Sequence, residues 1–391
     1  MKKIRVLVSF AMATAMSAGL SVSALAAPGN PIKIGVMLPF SGTYAQLGEA
    51  GLDGLKLALE EQADKLHGSP VEFIELDTEA KPSNAPELSS SLLSQHETDF
   101  VIGPVHSGVA MGMIKMLRGK DTIMIIPNAG SAAATGQLCS PNVFRTSFSS
   151  WQPSYPMGKV ALDKGYKEVY AISWNYGMGR ESLDAFEESF TAGGGEIVER
   201  VLLPFPSTNF QSQISEIADT NPDAVFTFFA GGGAIKFVKD YDSTGLRGQI
   251  PLLGSGFLTE GTLQAQGDAA EGVMTGLHYA EQLDIPKNQE FREAFNSKYG
   301  YYPDIYAVQG YDAGQAITNT IDQLNGDISD QQAMIDTMEK LTIDSPRGEF
   351  TFSSAHNPIQ NIYLREVKEG VNVVQSVAAE DLEDPAHGCK M

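Results

Sequence analysis

Apolar positions along the chain fall into two kinds of run, and the two kinds alternate. The first kind is short and continuous: "IKIGVML" (32–38), "VEFIEL" (71–76), "DFVIG" (99–103) and "TIMIIP" (122–127). Such runs, without polar alternation, predict parallel strands covered on both faces. The second kind has helical spacing. "YAQLGEAGLDGLKLALEE" (44–61) sets Leu47, Gly51, Leu55 and Ala58 on one face, which predicts an amphipathic helix. "APELSSSLLSQ" (85–95) and "GVAMGMIKML" (108–117) read the same way.

After "RTSFSSWQPSYP" the rhythm starts again. Strands are predicted at "EVYAIS", "EIVERVLL", "DAVFTFF" and "IPLLG", with helices at "RESLDAFEESFTAGG", "FQSQISEIADT" and "GAIKFVKDYDSTG". A strand–helix alternation run twice predicts an α/β chain of two doubly wound lobes. Helices follow at "NQEFREAFNSKYG" and "IYAVQGYDAGQAITNTIDQLNG", then β-like segments at "GEFTFS", "NIYLREVKEG" and "VNVVQS". The expected division is 31–148 plus 279–345 for lobe 1 and 149–278 plus 346–378 for lobe 2. A tail occupies 379–391, and the chain crosses between lobes near 148, 278 and 345.

Length agrees with two cores, since 391 residues exceed one ordinary domain. The opening stretch changes the picture of where the protein works. Lys2, Lys3 and Arg5 precede an apolar run that ends in small residues at Ala24-Leu25-Ala26. That pattern predicts a secretory signal peptide, residues 1–26, and an exported chain in the periplasm. Loss of the leader leaves 24 basic against 48 acidic residues, a formal charge of −24. Such acidity argues against nucleic acid or an anionic membrane surface as partner. Two cysteines, Cys139 and Cys389, are either paired or free thiols; export favours a disulfide. The six histidines are scattered, with no HExxH and no close pair, so no metal site and no cofactor is expected.

Chemistry is expected where the first-lobe strands end. "PFSGTYAQLG" (39–48), "GPVHSGVAMG" (103–112) and "IPNAGSAAATG" (126–136) each join a strand to a helix through small or hydroxyl residues. Unpaired amides at helix starts suit a carboxylate. Ser107 and Ser131 offer hydroxyls; Ala129, Gly130 and Ser131 offer amides. Each serine is equally an ordinary helix cap. His106, beside Ser107, is either a pocket donor or a histidine at the solvent edge. No nucleophile elbow or phosphate loop is present, so no enzyme is expected, although a spatial triad in a secreted hydrolase stays open as an alternative.

"IKIGVMLPFSGTYAQLGEAGLDGLKLALEE", "DFVIGPVHSGVAMGM", "IPNAGSAAATG" and "WNYGMGRESLDAFEE" together resemble the leucine/isoleucine/valine-binding family of periplasmic receptors for ABC importers. The resemblance runs from about residue 31 to 375. It implies two Rossmann-like lobes with a three-segment hinge, the type I periplasmic binding protein fold. It also implies a monomer that closes on a small ligand and is met by a membrane permease. In that family the serine after the "GP" turn and the small residues after the next strand hold the ligand carboxylate. Those positions are Ser107 and then Asn128, Ala129, Gly130 and Ser131, with the usual hydroxyl shifted to Ser131. Tyr176 matches a tyrosine that faces the ligand, and a further contact falls near Ala230 and Gly231.

The loop "LLGSGFLTEG" departs from the family. Amino-acid receptors often carry a carboxylate there for the ligand ammonium; here it reads Gly254, Ser255, Gly256, Phe257. A buried ammonium without a counter-charge costs several kcal/mol. The expected ligand is therefore a small carboxylate with an apolar or aromatic body, and the chain resembles the branch that takes benzoates or phenylpropenoates. Tyr44, Trp151, Tyr176, Phe229 and Phe257 are the expected aromatic wall. A receptor for a branched-chain amino acid or small amide is the alternative, and Glu260 or Asp223 reaching the cleft would favour it.

Overall fold

The computed structural model describes residues 29–391; the expected signal peptide lies outside the described residues. The first sheet holds five parallel strands: β1 (Ile32–Leu38), β2 (Val71–Asp77), β3 (Phe100–Ile102), β4 (Ile123–Ile126) and β5 (Val143–Arg145). Their order is β2-β1-β3-β4-β5. Ile34, Val36, Phe100 and Ile125 point to one core, while Met37, Val101, Met124 and Ile126 point to another. Burial on both faces is why β1, β3 and β4 read as unbroken apolar runs, while β2, at the sheet edge, is half-exposed and carries Glu72 and Glu75. The adjacent helices are α1 (Ala45–Glu61), α2 (Ala85–Ser91) and α3 (Ser107–Leu117).

The second sheet repeats the winding. Strands β6 (Glu168–Trp174), β7 (Glu196–Leu203), β8 (Ala224–Phe228), β9 (Leu252–Ser255) and β10 (Met274–Leu277) are parallel and run β7-β6-β8-β9-β10. That is the order of the first sheet again. Helix α4 (Tyr155–Asp163) precedes β6, and between the strands come α5 (Gly177–Ala192), α6 (Gln211–Thr220), α7 (Gly231–Ser243) and α8 (Leu263–Gln266). Helices α9 (Pro286–Tyr299), α10 (Ile305–Gln323) and α11 (Gln331–Met338) follow. Of these, α9 and α10 pack on α1 of the first layer. The last strands are β11 (Thr342–Ile343), β12 (Phe350–Phe352), β13 (Pro358–Lys368) and β14 (Val371–Leu382). They extend the second sheet, with β13 antiparallel to β10 and β14 antiparallel to β13.

Each sheet reverses its strand order once, between β1 and β3 and between β6 and β8. Loops leaving adjacent strands at such a point diverge and open a crevice. The crossings between the sheets are tied together by buried Arg347. Its Nη1 donates to the Ser147 carbonyl at 3.0 Å, its Nη2 to the Thr146 carbonyl at 2.6 Å, and its Nε lies 3.1 Å from an Asp312 oxygen. Beyond β14 the tail returns to the first layer, where Cys389 forms a disulfide with Cys139, 250 residues away.

Candidate functional site

The two switch points face each other across one cavity. Every strand end beside a switch point contributes to its wall. Tyr44 stands in the short turn after β1, and Val105 follows β3. Tyr176 and Met178 start α5 after β6, while Phe228 ends β8 and Ala230 caps α7. Asn128 and Gly130 after β4, Phe148 after β5, Phe257 after β9, Leu47 of α1 and Tyr306 of α10 complete the lining.

Polar atoms are few and uncharged. The Tyr44 and Tyr176 hydroxyls are 2.8 Å apart across the two lobes. Burial raises both of their pKa values above the ordinary tyrosine value, so both protons stay on. One proton joins the pair and the other is left to donate elsewhere. The Tyr306 hydroxyl is buried without a hydrogen-bond partner among the described residues. Asn128 donates through Nδ2 to Gln309 Oε1 at 2.7 Å, and Gln309 Nε2 meets His278 Nε2 at 3.1 Å. Among the described residues, no Asp, Glu, Lys or Arg lines the cavity. A carboxylate finds hydroxyl donors in this wall; an ammonium finds no anion.

The two acids that would have served an ammonium are engaged elsewhere. Glu260 forms a buried ion pair with Arg365 and accepts the Ile305 amide at 3.2 Å. Asp223 accepts the amides of Lys167 and Glu168 at 2.7 and 3.0 Å, at the opposite end of β6.

The periplasmic binding protein family matches residues 31–372. The chain belongs to that family. A solute-binding protein of an ABC transporter from R. palustris, solved in complex with benzoate, is 44% identical with a TM-score of 0.90, covering 92% of this chain and 100% of its own. Another, from Rhodopseudomonas palustris HaA2 in complex with p-hydroxybenzoic acid, is 30% identical with a TM-score of 0.85, covering 90% of this chain and 98% of its own. "Leu/Ile/Val-binding protein homolog 6" of Brucella melitensis is 33% identical over 354 residues, 89% of this chain and 90% of that protein. The binding protein is thus a non-enzymatic solute receptor, and the hydrolase alternative falls.

Of the residues singled out from sequence, Tyr44, Asn128, Gly130, Tyr176, Ala230 and Phe257 line the cavity of this binding protein. The others sit behind or beside it. Ser107 opens α3, and its buried hydroxyl has no partner among the described residues. It lies against α5 of the other lobe, where a Cβ on Gly177 would come 2.9 Å from its own Cβ. His106 is a cap and a stacking ring, not a charged donor. Its Nδ1 accepts the Gly108 amide at 3.0 Å, its ring stacks on Tyr176 at 4.5 Å, and burial lowers its pKa to about 4. The Ala129 amide donates to the Pro104 carbonyl at 3.0 Å. Ser131 donates to Glu181 at 3.1 Å.

Two expected wall residues are elsewhere. Trp151 stacks on Tyr155 and donates to Glu188 at 3.1 Å. Phe229 packs with Phe210 and Phe237, because the neighbour that faces the cavity along this strand end is Phe228. Phe148, Phe228 and Tyr306 are the cavity aromatics that sequence reasoning missed. The signal for Tyr306 was its place in the first turn of a helix that caps the first lobe. The periods of the pattern do not carry such a signal for Phe148.

Proposed function

We propose that this periplasmic binding protein captures a small aromatic carboxylate, of benzoate or phenylpropenoate type, and delivers it as a monomer to the membrane permease of an ABC importer. The observation that carries the reading is a cavity walled by six aromatic side chains, with neutral hydroxyl donors and no ionised group. A flat ring fits such walls, and its acid accepts from the tyrosine pair. Tyr44, Asn128, Gly130, Tyr176, Ala230 and Phe257 are the proposed contacts, together with Phe148, Phe228 and Tyr306. The lobes are assigned as 31–148 with 279–345 and 149–278 with 346–378, with β11 reaching over the third boundary into the second sheet. Relatives solved with benzoate and p-hydroxybenzoic acid support the ligand class.

The curated relatives named for leucine, isoleucine and valine favour a branched-chain amino acid instead. That reading requires an anion for the ammonium, and Glu260 and Asp223 do not supply it. A thermal-shift panel on the protein lacking residues 1–26 separates the two. Benzoate, 4-hydroxybenzoate and cinnamate at 100 times Kd each stabilise a receptor by roughly 2.7 kcal/mol, and leucine, valine and urea should give no shift. Stabilisation by leucine alone would overturn the assignment.

A further inference from the structure

The loop after β4 is clasped from the opposite lobe. Glu181, in the first turns of α5, accepts the Ser131 hydroxyl on Oε1 at 3.1 Å and the Ala132 amide on Oε2 at 2.9 Å. Both donors belong to the first lobe, and the carboxylate belongs to the second. The loop that donates is held from behind by Arg145, a fully buried guanidinium. Its Nη1 donates to the carbonyls of Ser131 at 3.2 Å and Phe148 at 3.0 Å, and its Nη2 donates to Thr135. The carbonyl side of the loop is thereby fixed on its own lobe, and its donor side is offered across the gap. The same two elements build the cavity, since the loop supplies Asn128 and Gly130, and α5 begins beside Tyr176 and Met178.

We propose that Glu181 is an interlobe latch: the protein's own carboxylate takes the Ser131 and Ala132 donors on closure, so these hold the second lobe and not the guest's acid group. The resemblance gave Ser131 to the ligand; the geometry gives it to Glu181. When the lobes part, the two donors and the carboxylate return to water, so the latch contributes only to the closed form. Charge-assisted hydrogen bonds of this kind, here half-shielded from water, are the stronger ones. They slow reopening without touching the ligand. The latch rests on the reading of the protein as a receptor that closes on its guest, and not on which guest it is.

The test is release kinetics by stopped flow, with benzoate as probe, or leucine if benzoate gives no thermal shift. Failure of the aromatic reading therefore leaves the latch testable. Glu181→Ala should raise koff about tenfold and leave kon unchanged. Glu181→Gln, which keeps an acceptor oxygen and loses the charge, should fall between. The melting temperature of the ligand-free protein should not move, because an open protein does not make the clasp. Ser131→Ala should raise koff less, and the double variant should release no faster than Glu181→Ala alone, since the two groups act as one unit. An unchanged koff in Glu181→Ala would overturn the latch. So would a lowered ligand-free melting temperature, which marks an ordinary structural contact. Effects of Ser131→Ala and Glu181→Ala that multiply would return Ser131 to the ligand.

Discussion

Tyr44 and Tyr176 carry the proposed anion site at the scale of single residues. Tyr44 is fully buried and Tyr176 half-buried; burial disfavours the phenolate, so both pKa values move up and the hydroxyls remain donors. His106, stacked on Tyr176, moves the other way: burial disfavours its cation and holds its pKa at about 4. None of these three groups therefore changes charge between pH 6 and 9. Behind the wall, burial pushes the pKa of Asp304, beside Tyr306, up to about 7, so affinity for benzoate should stay within about twofold between pH 8 and 9, once that carboxyl is ionised. Tyr176→Phe should weaken benzoate by about tenfold, the usual loss for one hydrogen bond to a charged acceptor. Isothermal titration at several pH values checks both statements, and a tenfold loss between pH 8 and 9 would contradict tyrosines that keep their protons. Aromatic residues near strand ends suggested Tyr44 and Phe257, and the family resemblance supplied Asn128 and Tyr176; all four line the cavity. What the sequence did not carry was which donors are already spent. Ala129 on Pro104 and Ser131 on Glu181 are pairings of the folded chain, and nothing in the local pattern marks them.

At the level of elements, the long amphipathic and continuous apolar runs were the legible ones. β1 and β7 fall on the predicted residues, and α1 and α10 fall within a few of theirs. The missed elements are short or disguised. β5 and β11 have three and two residues, too few to show a period. α4 hides behind a Ser-, Pro- and Trp-rich approach, with Pro156 in its first turn, where proline is tolerated. The predicted 85–95 helix ends early at Ser91 and passes into a wider turn, Leu92–His96, closed by Glu97 in the left-handed region. Sequence also did not show that α1 and α10 touch backbone to backbone. A Cβ on Gly54 would lie 1.9 Å from the Ala307 carbonyl oxygen, and one on Gly310 would lie 1.9 Å from that of Gly51. Gly310→Ala must push the helices apart and should cost about 1–3 kcal/mol in urea unfolding. Gly232→Ala in α7, where a Cβ meets nothing within 4 Å, is the control and should not destabilise. Equal stability of the two variants would show that the close contact is not maintained.

For the whole molecule, the repeated strand–helix rhythm implied two lobes, and the sheets carry the same strand order twice. Repetition has a physical consequence. Two switch points, each a ready crevice, are brought face to face by the crossings that Arg347 ties together. The cavity is therefore a property of neither lobe alone, and half of its wall comes into register only in three dimensions. That is why Phe148, Phe228 and Tyr306 were invisible to pattern while the fold was not. The Cys139–Cys389 bond adds a covalent return of the tail to the first layer. The proposed preference for an aromatic acid over an amino acid rests on electrostatics. With Glu260 committed to Arg365, the wall has no negative charge to offer. The most direct test is a crystal structure of the protein grown with benzoate. The account predicts the carboxylate within hydrogen-bond reach of the Tyr44 and Tyr176 hydroxyls, and the ring among Phe148, Phe228 and Phe257. Benzoate lodged outside this cavity, or its acid group turned away from both tyrosines, would contradict it.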